Sequence, residues 1–264
     1  YPSLYRIRGQ VFKTLLYRLL LPRADHVFVQ SDEMLRDVAA QGIAPAKMTA
    51  VPMGVQPAMF PERKVQRPRQ VLPAATPCIV YLGTLARSRR LDFLLRVLQR
   101  VRVESPAALL YFVGQGDESR DVEFLAEEAA KLGVGDAVVM TGQLPRPDAL
   151  QFVADADVCV SPFRPSPVLN STSPTKLIEY MAMGKPVVAN DHPEQRLLIE
   201  ESGAGYCVAY EENAFADAIL RLLADPESAR RMGERGRPYV LAHRSYEVIG
   251  RNVEAELRRV IERG

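Results

Sequence analysis

Short apolar runs alternate with helix-length segments along most of this chain, and the alternation narrows the folds open to it. Such a pattern is typical of a parallel sheet whose two faces are both covered by helices. It therefore predicts an α/β fold with a Rossmann-like parallel sheet. Ligands of such sheets bind beyond the carboxyl ends of the strands, so the residues that follow each run are the candidates for a site. The seven runs occupy residues 26–30, 78–83, 109–114, 137–142, 157–161, 186–190 and 204–209.

Helical periodicity marks the two ends of the chain. After Tyr210 it predicts one helix with Phe215, Ala218, Ile219 and Leu222 on a single face, a second starting at Pro226, and a last one over Tyr246 to Ile261. The N-terminal stretch predicts an amphipathic helix with basic residues off its apolar face, which suits either packing against a preceding domain or the surface of an anionic membrane. Its apolar face consists of Leu4, Ile7, Val11, Phe12, Leu15, Leu16, Leu19 and Leu20.

Composition sets broad limits on function. The 264 residues are 47% hydrophobic and 25% charged, which is ordinary for a globular protein. Because the net charge is only +2, we expect no nucleic acid partner. No apolar run approaches the ~20 residues that a membrane span needs, so the cytoplasm is the expected location, with peripheral contact at the inner face of a membrane as an option.

The reactive residue types give little support to hydrolase or metal chemistry. Cys78, Cys159 and Cys207 are far apart, and each lies in an apolar run, so we interpret them as small core residues of a protein in a reducing compartment. The three histidines show neither the spacing of a metal site nor that of a Ser-His-Asp triad. We therefore expect no metal and no bound cofactor.

The most informative segment is residues 173–189. Its pattern predicts Ser173 as an N-cap, Pro174 as the first residue of a short helix, a Gly-Lys-Pro stop and a buried strand. The first turn of a helix attracts anions, and Lys176 adds a full positive charge there. Glu179, one turn further, would repel a phosphate but could bind a neutral diol such as ribose. Together these residues suggest a nucleotide site, although a solvated Lys and Glu on a short helix need no function.

The same segment resembles a known signature. Glu179-Tyr-Met-Ala-Met-Gly-Lys-Pro-Val-Val188 is similar to the nucleotide-sugar motif of retaining glycosyltransferases with the GT-B fold, of the family 4-like type also called glycosyl transferases group 1. The resemblance implies transfer of a sugar from a nucleoside diphosphate donor to a hydroxyl of a glycan or lipid-linked acceptor, with retention of configuration and without an obligatory metal. Further segments match in the family's order, at residues 24–31, 51–55, 79–85, 112–116, 139–142 and 156–162.

The resemblance also implies a division of the chain. Residues 1–51 would be a remnant of the N-terminal acceptor domain, 52–77 a linker rich in proline and charge, and 78–242 the donor-binding domain. Residues 243–264 would form a helix that braces the N-terminal domain. Since most of an acceptor domain would be missing, we expect the chain to bind donor but to transfer sugar weakly or not at all.

Roles for individual residues follow from the resemblance. Arg89 and Lys176 are expected to act in catalysis by stabilising the leaving diphosphate, and Glu179 to hold the ribose. The family's charged residues at positions 84 and 171 are replaced by Thr84 and Ser171, and Arg87 or Arg164 could compensate for the first loss. The loop after the fourth run and the segment around Gly116 would lie beside the base. The expected donor-binding residues are Gly83, Thr84, Arg87, Gly114, Gly116, Gly142, Gln143, Leu144, Arg164, Ser171, Ser173, Thr175 and Glu179.

Three other interpretations stay open at this point. The replacements at Thr84 and Ser171 suit a non-catalytic subunit that binds nucleotide-sugars. A sugar-nucleotide epimerase of the same architecture would need acid and base carboxylates in its cleft. A dinucleotide oxidoreductase is disfavoured because Ser119 stands where the Gly-x-Gly-x-x-Gly fingerprint has its third glycine. The polar loop at residues 191–195 is expected either to touch the donor or to cap the next helix.

Overall fold

The computed structural model describes residues 2–60 and 69–263, with side chains from residue 8 to residue 262. Pro61 and Pro68 of the predicted linker, and the side chains of Leu4 and Ile7, lie outside the described residues. The strands are β1 (Val27–Val29), β2 (Met48–Ala50), β3 (Cys78–Leu82), β4 (Leu109–Val113), β5 (Val138–Met140), β6 (Val158–Ser161), β7 (Val187–Asn190) and β8 (Gly205–Val208).

Twelve α-helices are assigned within the described ranges. They are α1 (Pro2–Leu15), α2 (Asp32–Ala39), α3 (Asp92–Glu104), α4 (Ser119–Lys131), α5 (Arg146–Asp155), α6 (Pro167–Asn170), α7 (Thr175–Ala182), α8 (Pro193–Ser202), α9 (Glu212–Ala224), α10 (Pro226–Glu234), α11 (Gly236–His243) and α12 (Tyr246–Arg263).

Six strands form one parallel sheet in the order β5-β4-β3-β6-β7-β8. From β3 the chain winds outward to β5, then returns to the centre at β6 and winds the other way to β8. The order therefore reverses between β3 and β6, and a crevice opens there at the carboxyl ends of the two strands. The predicted Rossmann-like parallel sheet is confirmed, and this reversal decides where a ligand would bind.

Both faces of the sheet are buried, as the continuous apolar runs predict. Along β3, Ile79 and Tyr81 pack into a core layer with helices α3, α4 and α9, whereas Cys78 and Val80 point into a layer with α5, α7, α8 and α11. This strict alternation follows from the two-residue repeat of a strand. Cys78 and Cys159 are fully buried and Cys207 is partly buried, and all three thiols are free.

The segment predicted as a linker packs against the second of these layers. Phe60 and Leu72 are almost fully buried there, and Asp155 of α5 accepts hydrogen bonds from the backbone of Gln70 and Val71 at 2.7 and 2.9 Å. Because buried side chains and backbone bonds hold both described ends of this segment, these ends lie fixed against the six-stranded sheet. The domain boundaries themselves remain a prediction.

A smaller unit precedes this sheet. β1 pairs with β2 in parallel, and Val29, Val38, Ile43 and Met48 form its own small core. The start of α12 is tied to the chain after β2, since Tyr246 donates its backbone N–H to the carbonyl of Val55 at 2.9 Å. Further along α12, Glu256 lies 3.9 Å from the ring of His26. The start and the middle of α12 thus contact the N-terminal part of the chain.

Candidate functional site

Two glycine turns form the floor of the crevice at the carboxyl end of β3. Gly83 follows β3 with φ +148° and Gly114 follows β4 with φ +142°, conformations that favour glycine. A Cβ atom on Gly114 would lie 2.1 Å from the carbonyl oxygen of Gly83, so the two turns are in direct contact. Because neither glycine carries a side chain, a ligand could approach the main chain at this point.

Lys176 stands beside this floor, in the first turn of α7. Its Nζ lies 4.8 Å from the centre of the Tyr81 ring and 4.7 Å from the centre of the Phe163 ring. The methylene Cε packs 3.3 Å from the position that a Cβ on Gly83 would take. Burial, together with the positive charge of Arg89, lowers the pKa of Lys176 to about 7, and Glu179 opposes that shift. The predicted lysine is therefore at the switch point, next to the predicted glycine.

The predicted arginines do not all converge on the crevice. Arg89 is exposed in the turn after β3, and its positive charge acts on Lys176. Arg87 instead places its guanidinium over the ring of Phe124, 4.4 Å from the centroid, where it covers α4. Arg164 is exposed in the loop after β6. Arg89 is thus the one of the three whose charge reaches Lys176.

Glu179 is buried and paired with a residue that the sequence did not single out. Arg146 Nη2 donates to Glu179 Oε1 at 2.7 Å, and the arginine also lies over the ring of Phe60, 5.8 Å from its centroid. The signal was available, since Arg146 begins α5 directly after the predicted base loop at Gln143 and Leu144. Candidate residues were sought only directly after each predicted strand. Arg146 was missed because it lies six residues beyond the end of β5.

Ser173 and Ser171 are both turned away from the start of α7. The N-cap of α7 is Pro174 and the helix begins at Thr175, so the prediction of Ser173 as an N-cap is wrong. Ser173 Oγ accepts the backbone N–H of Met53 at 3.0 Å and donates to Glu194 Oε2 at 3.3 Å. Tertiary partners have thus taken the oxygen that would have capped the helix.

Ser171 forms hydrogen bonds with residues of the N-terminal unit. Its hydroxyl lies 2.5 Å from Asp37 Oδ2 and 3.1 Å from the carbonyl of Pro167, and its own carbonyl accepts a hydrogen bond from Ser31 at 2.8 Å. Ser31 also caps α2 by accepting the N–H of Met34. One serine pair therefore connects the loop before α7 to the helix after β1.

The remaining predicted glycines differ in what confines them. Gly116 is pressed against α4, where a Cβ would lie 2.5 Å from Cβ of Asp121. Asp121 in turn accepts the backbone N–H groups of Arg87, Asp117 and Glu118 at 3.0–3.1 Å, which lowers its pKa. Gly142 forms an isolated bridge with Gly114 and has open space around it. Gln143 is exposed and Leu144 is partly buried.

The polar loop after β7 is used inside the protein. His192 is the N-cap of α8 without a capping side-chain bond, and its Nε2 lies 2.8 Å from the carbonyl of Leu169. Gln195 accepts from Ser161 at 2.5 Å, and Asn190 accepts the backbone N–H of Phe163 at 2.6 Å. These bonds fix the loop that carries Phe163, and so they support the ring beside Lys176.

Two cavities lie away from the crevice. One, of about 360 Å³, is lined by residues of the N-terminal unit, α8, α11 and α12, including Glu194 and Arg244. The other, of about 900 Å³, lies at the amino-terminal ends of the strands, near Thr76, Asp157 and Lys185. Across residues 2–60 and 69–263, no helix is long and apolar enough to span a bilayer, and no cluster of three His, Cys, Asp or Glu residues could hold a metal ion.

Comparison with known proteins identifies relatives of this chain. A family model described as glycosyl transferases group 1 matches residues 76–225. D-inositol 3-phosphate glycosyltransferase of Thermobifida fusca is 24% identical over 240 residues, which cover 88% of this chain and 53% of that protein. A GDP-mannose-dependent phosphatidylinositol monomannoside mannosyltransferase of Mycolicibacterium smegmatis is 30% identical over 177 residues, covering 66% of this chain and 46% of that protein.

Solved structures share the fold. Sucrose-phosphate synthase from Thermosynechococcus elongatus superposes with a TM-score of 0.74 at 26% identity, covering 92% of this chain and 60% of that one. Anabaena HepE in complex with UDP and glucose gives 0.77 at 18% identity, covering 95% and 68%. The chain spans about half the length of the curated relatives it matches. With more than half of its residues inside the family match, this chain belongs to the glycosyl transferases group 1 family.

Proposed function

We propose that this chain binds the nucleoside diphosphate portion of a sugar donor in the crevice between β3 and β6. The observation that carries the proposal is the position of Lys176 in the first turn of α7, at the switch point of the sheet and against Gly83. The helix N-terminus offers unpaired N–H groups and the lysine offers a full charge, so a diphosphate would meet both. Arg89 adds a second cation near the same point.

Within a complete enzyme, the reaction that this site suits is sugar transfer to an acceptor hydroxyl with retention of configuration. The bond that breaks joins the anomeric carbon to the diphosphate oxygen, and the departing charge would be stabilised by Lys176, Arg89 and the start of α7. Glu179 would hold the ribose through hydrogen bonds. The relatives matched over much of this chain are enzymes that transfer sugars, which supports the same reaction class.

Calorimetric titration with UDP, GDP, ADP and dTDP, without metal, tests the donor site. Selective binding of one diphosphate, weakened by Lys176→Ala and by Glu179→Ala, is the expected result. Lys131→Ala, an exposed lysine on α4, is the matched control and should bind like the unaltered chain. Absence of binding by the unaltered chain to all four diphosphates would contradict the proposal.

A second candidate function is a nucleotide-sugar-binding subunit without transfer activity. The observation in its favour is that Ser171, where the family carries a carboxylate, hydrogen-bonds to Asp37 instead. A sugar transfer assay on a chain completed with an acceptor domain separates the two, because only an enzyme would release free diphosphate in the presence of acceptor. Conversion of the donor into an isomeric sugar would instead identify an epimerase.

Peripheral membrane contact is proposed for the N-terminal helical segment. Phe12 and Leu20 are 65% and 63% exposed, and Lys13 and Arg18 lie in the same segment. Apolar side chains flanked by cations are the features that bind anionic bilayers. Cosedimentation with phosphatidylglycerol vesicles but not with phosphatidylcholine vesicles is expected. Failure to bind either kind of vesicle would contradict the proposal and would indicate that this face packs against protein instead.

A further inference from the structure

Lys176 lacks an acidic partner among the residues that the structure describes. Among the described residues, no ion pair or hydrogen bond involves its Nζ, which lies 4.8 and 4.7 Å from the ring centroids of Tyr81 and Phe163. A ring face attracts a cation through its quadrupole, but more weakly than a carboxylate does. The ammonium group is therefore held in place without being neutralised.

Both rings are themselves fixed. Tyr81 is fully buried in β3, and its hydroxyl donates to the carbonyl of Thr84 at 3.2 Å. Phe163 is held through its backbone N–H by Asn190, and its ring packs against His192 with centroids 5.2 Å apart. Neither ring can leave the lysine without breaking one of these contacts. The rings of Tyr81 and Phe163 thus form a fixed slot that holds the ammonium group of Lys176.

The charges around the slot work against the protonated lysine. Arg89, from the turn after β3, is a like charge, while Glu179, on α7 itself, favours the protonated form. Glu179 already carries an ion pair with Arg146 of α5, so part of its charge is offset. Burial and Arg89 outweigh Glu179, and the pKa of Lys176 falls to about 7.

We propose that Tyr81 and Phe163 are positioning residues for Lys176, and that binding of a diphosphate in the crevice is coupled to uptake of one proton by the lysine amine. The inference rests on the proposed donor site. When the phosphate charge arrives, the Nζ lone pair takes a proton from solvent, and an N⁺–H to phosphate oxygen bond forms. When the diphosphate leaves, the proton returns to solvent. The diphosphate would thus give the lysine a direct ion pair, in addition to the electrostatic effect of Glu179.

The coupling predicts a direction with pH. Below pH 7 the amine is already protonated in the free protein, so little proton is taken up and affinity is highest. Above pH 7 the free amine is neutral, and each unit of pH then weakens binding by up to tenfold, because a proton must be bound along with the ligand. The affinity stops falling with pH once the pH reaches the pKa of Lys176 in the complex, because the bound amine then loses its proton as well.

Calorimetry in buffers of different ionisation enthalpy measures the proton count. The probe is whichever of UDP, GDP, ADP and dTDP binds, titrated at pH 6.5, 7.5 and 8.5 into the unaltered chain and into Lys176→Met. The methionine variant removes the amine and so reports the ionisation of the nucleotide phosphate alone. The unaltered chain should take up close to one more proton than Lys176→Met at pH 8.5, and roughly a quarter of a proton more at pH 6.5, where most of the free amine is already protonated.

Replacement of the ring tests the positioning role. Phe163→Leu should weaken diphosphate binding roughly fivefold at pH 7.5 and increase proton uptake there, since the free lysine loses a cation–π contact. Phe152→Leu, on α5 against Tyr111, makes the same chemical change at a ring away from the crevice and should alter affinity by less than twofold.

The outcomes separate the two proposals. Equal proton counts for the unaltered chain and Lys176→Met at every pH would overturn the proton coupling while leaving the donor site intact. Equal affinities for Phe163→Leu and Phe152→Leu would overturn the positioning role. Binding of no diphosphate at any pH would overturn the donor site, and this inference with it.

Discussion

Arg146 Nη2 donates to Glu179 Oε1 at 2.7 Å, which joins the start of α5 to the middle of α7. The glutamate side chain is only 9% exposed, whereas the arginine is 48% exposed. Removal of one partner from a mostly buried carboxylate leaves that charge without compensation. The pair therefore fixes one carboxylate oxygen of Glu179 before any ligand arrives.

Arg146→Gln is expected to weaken diphosphate binding and to lower the free energy of unfolding by about 1 kcal/mol, a value discounted for the exposure of the arginine. Glu179→Gln should weaken binding as well. Because the two residues act together, the double variant should bind much like the weaker single variant, with a coupling energy of about 1 kcal/mol. Calorimetry and urea unfolding measure both quantities. Arg231→Gln, from an exposed pair on α10, is the control and should change neither.

The glycines that follow β4 and β5 should respond differently to alanine. At Gly114 a Cβ would lie 2.1 Å from the backbone oxygen of Gly83, so the crevice floor must shift. At Gly142, with φ +70°, a Cβ meets open space, so only the left-handed conformation is penalised, by about 1–2 kcal/mol. Urea unfolding should show a clearly larger loss for Gly114→Ala, and diphosphate binding should be lost in that variant alone. Equal losses of unfolding free energy in the two variants would indicate that the turns at Gly83 and Gly114 are not in contact.

Asp121 links the candidate base segment to α4 and should make stability depend on acid. Three backbone N–H groups donate to its carboxylate and lower its pKa, so its contribution is complete above the ordinary pKa of aspartate and is lost as pH falls through the lowered value. Asp121→Asn should lower the urea midpoint at pH 7, and the deficit should shrink towards pH 3. Asp117→Asn, an exposed neighbour, is the control. A deficit that is constant with pH would contradict this assignment.

Much of the sheet could be predicted because its strands are buried on both faces. All seven apolar runs contain strands within two residues of the predicted bounds, since apolar residues make up most of each strand. β2 was missed because Met48-Thr49-Ala50 is short and lacks such a run. The last three predicted helices are confirmed as α9, α10 and α12, whereas α11 was not recognised.

The site was less predictable, because its details depend on neighbours that are distant in sequence. Lys176 and Gly83 were both predicted to belong to the donor site, and the structure places Lys176 Cε against Gly83. The capping role assigned to Ser173 failed because Met53 and Glu194 occupy its oxygen, and neither contact leaves a local signal. Arg146 was missed because it lies six residues beyond β5, outside the positions that directly follow a strand, and because its partner is 33 residues away.

Lys176 should reduce the stability of the protein that carries it. Its pKa in the folded chain is about 7, against about 10.5 when unfolded, so the unfolded chain binds more protons between those values. Stability of the unaltered chain therefore gains from rising pH in that window. Lys176→Met should raise Tm at pH 7, and the gain should diminish by pH 9.5. Lys131→Met, at an exposed ion pair, should show a Tm difference that does not change over that range.

Ser171 offers a decisive comparison, because the sequence places it in the donor site while the structure pairs it with Asp37. Since its hydroxyl proton is committed to that carboxylate, Ser171→Ala should lower the free energy of unfolding by about 1 kcal/mol and change diphosphate affinity by less than twofold. Asp37→Ala should have a similar effect on stability, and the double variant should lose little more. If Ser171→Ala instead weakens binding tenfold while Asp37→Ala does not, the serine contacts the donor, and its bond to α2 must break when the donor binds.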